Sequence, residues 1–269
     1  MIRYPDIFDT AMLNRSTIII IPTALALAII CILPATNHYF PIWPIAAGAN
    51  IADTMFHEIG HSIFGWLMGV PNIPSVFTLF GTEQAAGLTL MWPRSWIVQV
   101  VVFAGLIYGC YWIYQNFPGW LWVAVSFTLL VIITAFTPYT KIPIFYMGHG
   151  GAIAMGGFFL FRAWANMAAR NGYERWLNAF FGFFMILKNI YFAWLLTDPD
   201  ISEEYSSRLI GGISHHDFAA MHEIIHSWTV HGIALFTIFY GVVMIIVSFL
   251  GAVYKGMEAE INVPEEIEL

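Results

Sequence analysis

Charged residues are scarce in this chain of 269 residues. Only 10% of the residues are Asp, Glu, Lys or Arg, whereas about 25% is usual in soluble globular domains. Hydrophobic residues make up 59% of the chain, and its mean hydropathy is +0.72. The net charge of −7 argues against a nucleic-acid partner. The composition therefore excludes an ordinary soluble domain and predicts an integral, multi-pass protein of the lipid bilayer, most simply in an inner or plasma membrane.

Cysteine is also scarce. Cys31 and Cys110 are the only two, and both stand in apolar stretches. Two such residues provide neither a disulfide framework nor a thiolate zinc site. We expect both to behave as small hydrophobic residues.

Long apolar runs predict the fold class. We expect an all-α, polytopic transmembrane bundle with about six to seven membrane segments. It should form a single transmembrane domain over residues 1–254, followed by an acidic, solvated C-terminal tail over residues 255–269. Residues 35–50 are expected to be an interfacial loop. Residues 75–93, rich in Gly and β-branched residues, are a candidate for a short re-entrant hairpin, with a plain interfacial loop as the alternative.

The stretch Ile51–Gly69 contains the motif HExxH, formed by His57, Glu58 and His61. Residues four apart lie on one face of a helix, so both imidazoles can bind one Zn²⁺. Glu58 lies about 100° round the helix, where it can act as a general base. Asp53, one turn earlier, can orient His57. Burying these groups in an apolar helix is costly unless they are paired or ligated, which favours a metal site.

The segment FHEIGHSIFGWLMGVP, residues 56–71, contains this motif and resembles the site-2 protease type of intramembrane metalloprotease. The match covers roughly Asn50 to Pro74. The resemblance implies a zinc hydrolase that cleaves transmembrane segments of other membrane proteins. It also implies a third ligand from a later segment, usually an Asp in a DG motif, but no DG occurs in this chain. By the same resemblance, residues 75–93 would bind substrate along a strand edge.

A second histidine cluster spans residues 214–231 and contains another HExxH, at 222–226. If one unbroken helix began at residue 215, His222 and His226 would share a face. His216 would lie near Glu223, and Asp217 would point to the far side, towards a different helix.

Three interpretations of this cluster remain open. In the first, Asp217 completes a metal site with His57 and His61, with His216 or His222 nearby. In the second, His222 and His226 bind a second zinc ion, alone or in a two-metal site. In the third, the cluster is a polar amphipathic helix at the membrane surface.

His149 stands among glycines in a predicted membrane segment and is the rival third ligand. A lone His in a bundle is otherwise usually hydrogen-bonded.

The leading functional hypothesis is an intramembrane zinc metalloprotease in which Glu58 activates the water. The alternatives are a non-proteolytic membrane subunit that binds metal or haem, for example between His149 and His57, and an inactive relative. Either would act through partners in a membrane complex.

Overall fold

The computed structural model describes residues 15–36, 39–78, 85–167, 172–207, 209–210, 213–214 and 217–261. In chain order, the elements are α1 (Arg15–Ile32), α2 (Ile42–Leu67), β1 (Asn72–Thr78), β2 (Ala85–Met91), α3 (Trp96–Asn116), α4 (Leu121–Ala135), α5 (Lys141–Trp164), α6 (Gly172–Leu195), α7 (Pro199–Ser207), β3 (Leu209–Ile210), β4 (Ile213–Ser214), α8 (Asp217–Ile224) and α9 (Val230–Ile261). A 3-10 turn, Pro118–Trp120, precedes α4.

Helices dominate the structure, which confirms the predicted all-α class. Among the described residues, five helical segments are long and apolar enough to cross a membrane: Trp96–Asn116, Pro118–Ala135, Lys141–Trp164, Tyr173–Leu195 and Val230–Lys255. A shorter apolar helix covers Ile19–Ile32. These lengths and compositions are those of a membrane protein. The prediction of six or seven membrane segments stays a prediction.

Helix α2, which carries the first HExxH, begins earlier than expected. Residues 42–50 were predicted as part of a loop, and that prediction is wrong because α2 already begins at Ile42. Pro44 does not prevent this start, since proline is tolerated in the first turn of a helix.

The end of α2 agrees with the sequence. Gly69 has φ +77°, its N–H donates to the carbonyl of Trp66, and the N–H of Val70 donates to that of Gly65. These two bonds form a Schellman motif, in which glycine readily adopts the left-handed conformation. This motif ends α2 two residues after its last helical residue, Leu67.

Strands β1 and β2 form an antiparallel hairpin where one was expected, although β1 begins three residues earlier, at Asn72. Pro74 lies within β1 and opposite Thr89. Proline is acceptable there because, in the two-stranded sheet that the structure describes, one edge of β1 has no strand partner. Residues 79–84 lie outside the described part of the chain.

The chain divides into two compact units that are interleaved in sequence. The first comprises residues 1–49, 153–193 and 237–269. Its core includes Ala24 and Ala28 of α1 and Phe184 of α6. In the same unit, a Cβ at Gly156 would lie 3.0 Å from the carbonyl oxygen of Gly182, so α5 and α6 approach closely there.

The second unit comprises residues 50–152 and 194–236. It contains the hairpin, both HExxH motifs and a core formed by Met68, Val131, Ala135 and Ile144. All the candidate site residues therefore belong to one unit.

Helix α9 continues through Ile261, so residues 255–261, the first part of the expected acidic tail, are helical. Met, Glu and Ala in this segment have high helix propensity. Residues 262–269 lie outside the described residues, and the prediction of a single transmembrane domain over residues 1–254 stays a prediction.

Candidate metal centre

Helices α2 and α5 approach each other closely beside the first HExxH. A Cβ at Gly60 would overlap the carbonyl oxygen of Met147, and a Cβ at Gly151 would lie 2.9 Å from the Cα of Gly60. Two glycines thus permit near-contact of the two backbones. This packing places the residues around Gly148 directly against the motif.

Gly148 leaves the space that the two histidines occupy. A Cβ at this position would lie 2.5 Å from His61 Nε2 and 2.7 Å from His57 Cε1. Even the smallest side chain would therefore overlap both imidazoles. The glycines of this segment were noted in the sequence, but their role in making room for the rings was not.

His57, His61 and Asp217 converge on one point. His57 Nε2 lies 3.0 Å from Asp217 Oδ2, His61 Nε2 lies 3.3 Å from the same oxygen, and the two nitrogens are 3.1 Å apart. In a tetrahedral zinc site with bonds of about 2.0–2.1 Å, neighbouring ligand atoms are about 3.3 Å apart. The triangle formed by these three atoms therefore has the dimensions of one face of a zinc tetrahedron.

The protonation of His61 suits a ligand. Its Nδ1 lies 2.7 Å from the carbonyl oxygen of Ile144, and a carbonyl only accepts, so Nδ1 carries a proton. In the neutral ring, the lone pair is then on Nε2 and faces Asp217 and His57. Such lone pairs repel one another unless a cation, either a proton or a metal ion, lies between them. Fixing the ring through its second nitrogen is a usual feature of metal-binding histidines.

Asp217 lies in the first turn of α8, and its side chain is 12% exposed. Burial by itself disfavours its ionisation, but the neighbouring His61 and His57 outweigh that effect and hold the pKa of the carboxyl below its usual range. A carboxylate at this position can bind a metal. Tyr205 of α7 lies nearby, and its pKa is raised by burial and by the charge of Asp217, while its oxygen accepts a hydrogen bond from the N–H of Phe218.

Glu58 is buried against the hairpin. Its Oε2 accepts a hydrogen bond from the hydroxyl of Thr89 in β2. A Cβ at Gly87 would overlap the Glu58 carboxylate. Strand β2 therefore fixes the position of the candidate general base, and sequence reasoning missed both contacts.

His149 lies beside the triangle but outside it. Its Nε2 is 3.9 Å from Asp217 Oδ2, and its ring meets that of His57 edge-on at a centroid distance of 4.6 Å. His57, His61 and Asp217 form the group whose ligand atoms all lie within 4.8 Å of one another, and His149 is not a member. The structure therefore favours Asp217 over His149 as the third ligand.

Asp53 is buried one turn before His57, on the same helix. Its location agrees with the predicted role of orienting His57. That role stays a prediction.

The second HExxH does not form a helical face. Helix α8 begins at Asp217 and ends at Ile224, so His226 lies beyond the helix, where it is exposed. His222 Nδ1 instead contacts the carbonyl of Trp228 at 2.7 Å. The unbroken helix assumed for this cluster is therefore wrong.

Helix α9 starts with its own cap. The hydroxyl of Thr229 accepts the N–H of Gly232, which makes Thr229 the N-cap of α9. Residues 225–229, between the two helices, are not helical.

Among the described residues, the first site is the one group of three or more ligating side chains, and neither His222 nor His226 belongs to it. His216 lies outside the described residues, so its predicted role near the metal stays a prediction.

No protein-family model, curated protein or solved structure matches this chain. Its function must therefore be inferred from the chemistry of the site.

Proposed function

We propose that this chain is an intramembrane zinc metalloprotease that cleaves transmembrane segments of other membrane proteins. The observation that carries the proposal is the triangle of His57, His61 and Asp217 ligand atoms, with edges of 3.0–3.3 Å, next to the buried carboxylate of Glu58. Two histidines and a carboxylate are a usual ligand set of catalytic zinc.

Asp217 takes the place of the aspartate that the site-2 protease resemblance calls for. It comes from a segment far along the chain from the HExxH helix, although it is followed by Phe218 rather than glycine. When bound, zinc would supply Lewis acidity that polarises a carbonyl and makes water more acidic.

Glu58 would perform the proton transfers. It takes one proton from the water that attacks the peptide carbonyl, and it delivers that proton to the nitrogen as the C–N bond breaks. The hydrogen bond from Thr89 holds the carboxylate in place for both steps.

Differences in burial indicate the side from which substrate approaches. The side chain of His57 is 20% exposed and that of His149 is 14% exposed, whereas that of His61 is only 6% exposed. The open side of the site therefore lies next to His57 and His149. A helical substrate would have to unwind locally, because its backbone groups are hydrogen-bonded and hidden within the helix.

The hairpin offers a partner for an unwound chain. Strand β2, whose Thr89 and Gly87 contact Glu58, belongs to a sheet of two strands as far as the chain is described. A strand edge binds extended peptides through main-chain hydrogen bonds. This supports an extended peptide as the substrate of the site.

The haem alternative does not fit these histidines. The rings of His57 and His149 meet edge-on with centroids 4.6 Å apart. A haem held by both would place its macrocycle and iron between the two rings, where there is no space. A non-catalytic metal-binding subunit remains the competing function, because it needs the same three ligands.

The test combines metal content with proteolysis. The detergent-purified wild type should contain about one zinc per chain and cleave fluorescein-labelled casein, used as an unfolded probe, and a panel of single-span membrane proteins. Glu58→Gln should keep the zinc and lose cleavage, and His57→Ala should lose both. Retained cleavage by Glu58→Gln would refute the mechanism. Zinc in the wild type without cleavage of any probe would favour the non-catalytic subunit.

A further inference from the structure

The location of His149 suggests a role other than metal binding. We propose that His149 is a further catalytic residue, whose Nε2–H donates a hydrogen bond to the oxygen of the scissile carbonyl as that oxygen gains negative charge. The inference rests on the proposed function and concerns a residue that binds substrate rather than metal.

The distance between His149 and Asp217 distinguishes a hydrogen-bond donor from a metal ligand. His149 Nε2 is 3.9 Å from Asp217 Oδ2, whereas the three edges of the ligand triangle measure 3.0–3.3 Å. A separation of 3.9 Å is too long for a direct hydrogen bond. His149 Nε2 therefore lies beside the ligand atoms, where it can donate to an oxygen of a reactant, without being one of those atoms itself.

The position of His149 is fixed by packing. The neighbouring Gly148 lies against both ligand rings, and Gly151, half a turn later, lies against Gly60. The ring itself is packed between His57 and Phe218, at centroid distances of 4.6 and 4.8 Å. A donor held in this way loses little entropy when it binds the transition state, which is what electrostatic preorganisation requires.

A fourth protein ligand would also conflict with hydrolysis. Catalytic zinc sites keep three protein ligands and one open position, whereas structural sites are closed by four. With His149 outside the ligand group and partly exposed on the open side, the fourth position is left for reactants.

In the reaction, water oxygen bonds to the carbonyl carbon and the carbonyl π electrons move to the carbonyl oxygen. His149 stabilises that oxygen through its N–H without transferring the proton. When the carbonyl re-forms, the C–N bond breaks and its electron pair takes the proton that Glu58 carries. Removal of one donor to such an oxyanion typically lowers the rate by about 10²–10³-fold.

The experiment compares His149→Leu, which fills part of the space without a donor, and His149→Gln, which keeps an N–H near the position of Nε2. His226→Ala, an exposed histidine outside the site, is the matched control. Zinc content and the visible spectrum of the cobalt-substituted protein report on the ligands. Casein cleavage gives kcat and KM, and affinity for a phosphonamidate dipeptide, a tetrahedral anion, reports on the oxyanion contact without turnover.

We expect His149→Leu to keep its metal and its cobalt spectrum and to lose about 10²–10³-fold in kcat. It should lose a similar factor in phosphonamidate affinity, while KM changes less than about threefold. His149→Gln should recover part of the lost kcat and part of the lost phosphonamidate affinity. Loss of metal or a changed cobalt spectrum in His149→Leu would make His149 a ligand. Unchanged cleavage and affinity would reduce its role to packing.

These outcomes separate the inference from the proposed function. If the wild type cleaves casein and Glu58→Gln does not, but His149→Leu matches the wild type, only the inference fails. If the wild type neither cleaves casein nor binds the phosphonamidate, the proposed function fails and the inference fails with it.

Discussion

The two HExxH motifs of this chain have the same spacing and different structures. The first lies within α2, a helix of 26 residues, so that His57 and His61 share a face and meet Asp217. The second begins in α8, a helix of eight residues that ends before its last histidine. Their glutamates differ as well, since Glu58 is buried and Glu223 is exposed. In this chain, HExxH brings possible ligand atoms together only where the helix continues through both histidines and Asp217 faces them.

The largest expected effect tests this comparison directly. His61→Ala removes a proposed ligand. Loss of a residue that only hydrogen-bonds a ligand lowers metal affinity by about 10–100-fold, so loss of the ligand itself should lower zinc affinity further. The matched change His226→Ala, in the second motif, should leave zinc affinity within about twofold. Competition with a chromogenic chelator measures both affinities. Equal losses in the two variants would show that the second motif also binds the metal.

The next effect concerns the space that the first site requires. Gly148→Ala would place a methyl group 2.5 Å from His61 Nε2, which must displace at least one ligand ring. Overpacking of this kind costs about 1–3 kcal/mol, so zinc affinity should fall by about 10–100-fold.

Gly105→Ala in α3 is the control for Gly148→Ala, since nothing lies within 4 Å of a Cβ at Gly105. It should leave zinc affinity unchanged. A wild-type affinity in Gly148→Ala would show that the two rings have room to shift, which would contradict the tight fit of α5 against the site.

Sequence reasoning recovered the parts of the site that depend on local geometry. Helical spacing placed His57 and His61 on one face, and Glu58 beside them. Asp217 was one of several candidates for the third ligand, because the site-2 protease resemblance implies an Asp from a later segment. Its choice over His149 required the structure.

The remaining parts depend on packing between segments distant in the chain. The carbonyl of Ile144 and the ring of His61 are 83 residues apart, and Thr89 and Glu58 are 31 residues apart. Neither a backbone carbonyl nor a lone threonine has a sequence signature for such a contact. Thr229 before an apolar run is a usual helix start, but it marks the beginning of α9 and not the end of α8, which comes five residues earlier.

A smaller effect is expected where the hairpin meets the first motif. Thr89→Val removes the hydrogen bond to Glu58 but keeps the shape of the side chain. Zinc content should stay at the wild-type level, and kcat for casein should fall by about 10-fold, which corresponds to about 1.5 kcal/mol, the lower end of the range for a hydrogen bond to a charged group. Thr89→Ser, which keeps the hydroxyl, should retain most of the activity. Equal kcat values for Thr89→Val and the wild type would mean that Glu58 is positioned without β2.

The smallest expected effect concerns Thr229, which follows the second HExxH. Thr229→Ala removes the N-cap of α9, which costs about 1 kcal/mol, whereas Thr229→Ser keeps a capping hydroxyl and should behave as the wild type. The apparent melting temperature in detergent should fall by about 2–4 °C in Thr229→Ala only. Zinc content should be unchanged in both variants. The cap stabilises the start of α9, whereas Asp217 lies in α8, and residues 225–229 separate the two helices. A loss of zinc in Thr229→Ala would mean that the break after Ile224 helps to hold Asp217 at the first site, so that the second motif would support the metal centre without supplying a ligand.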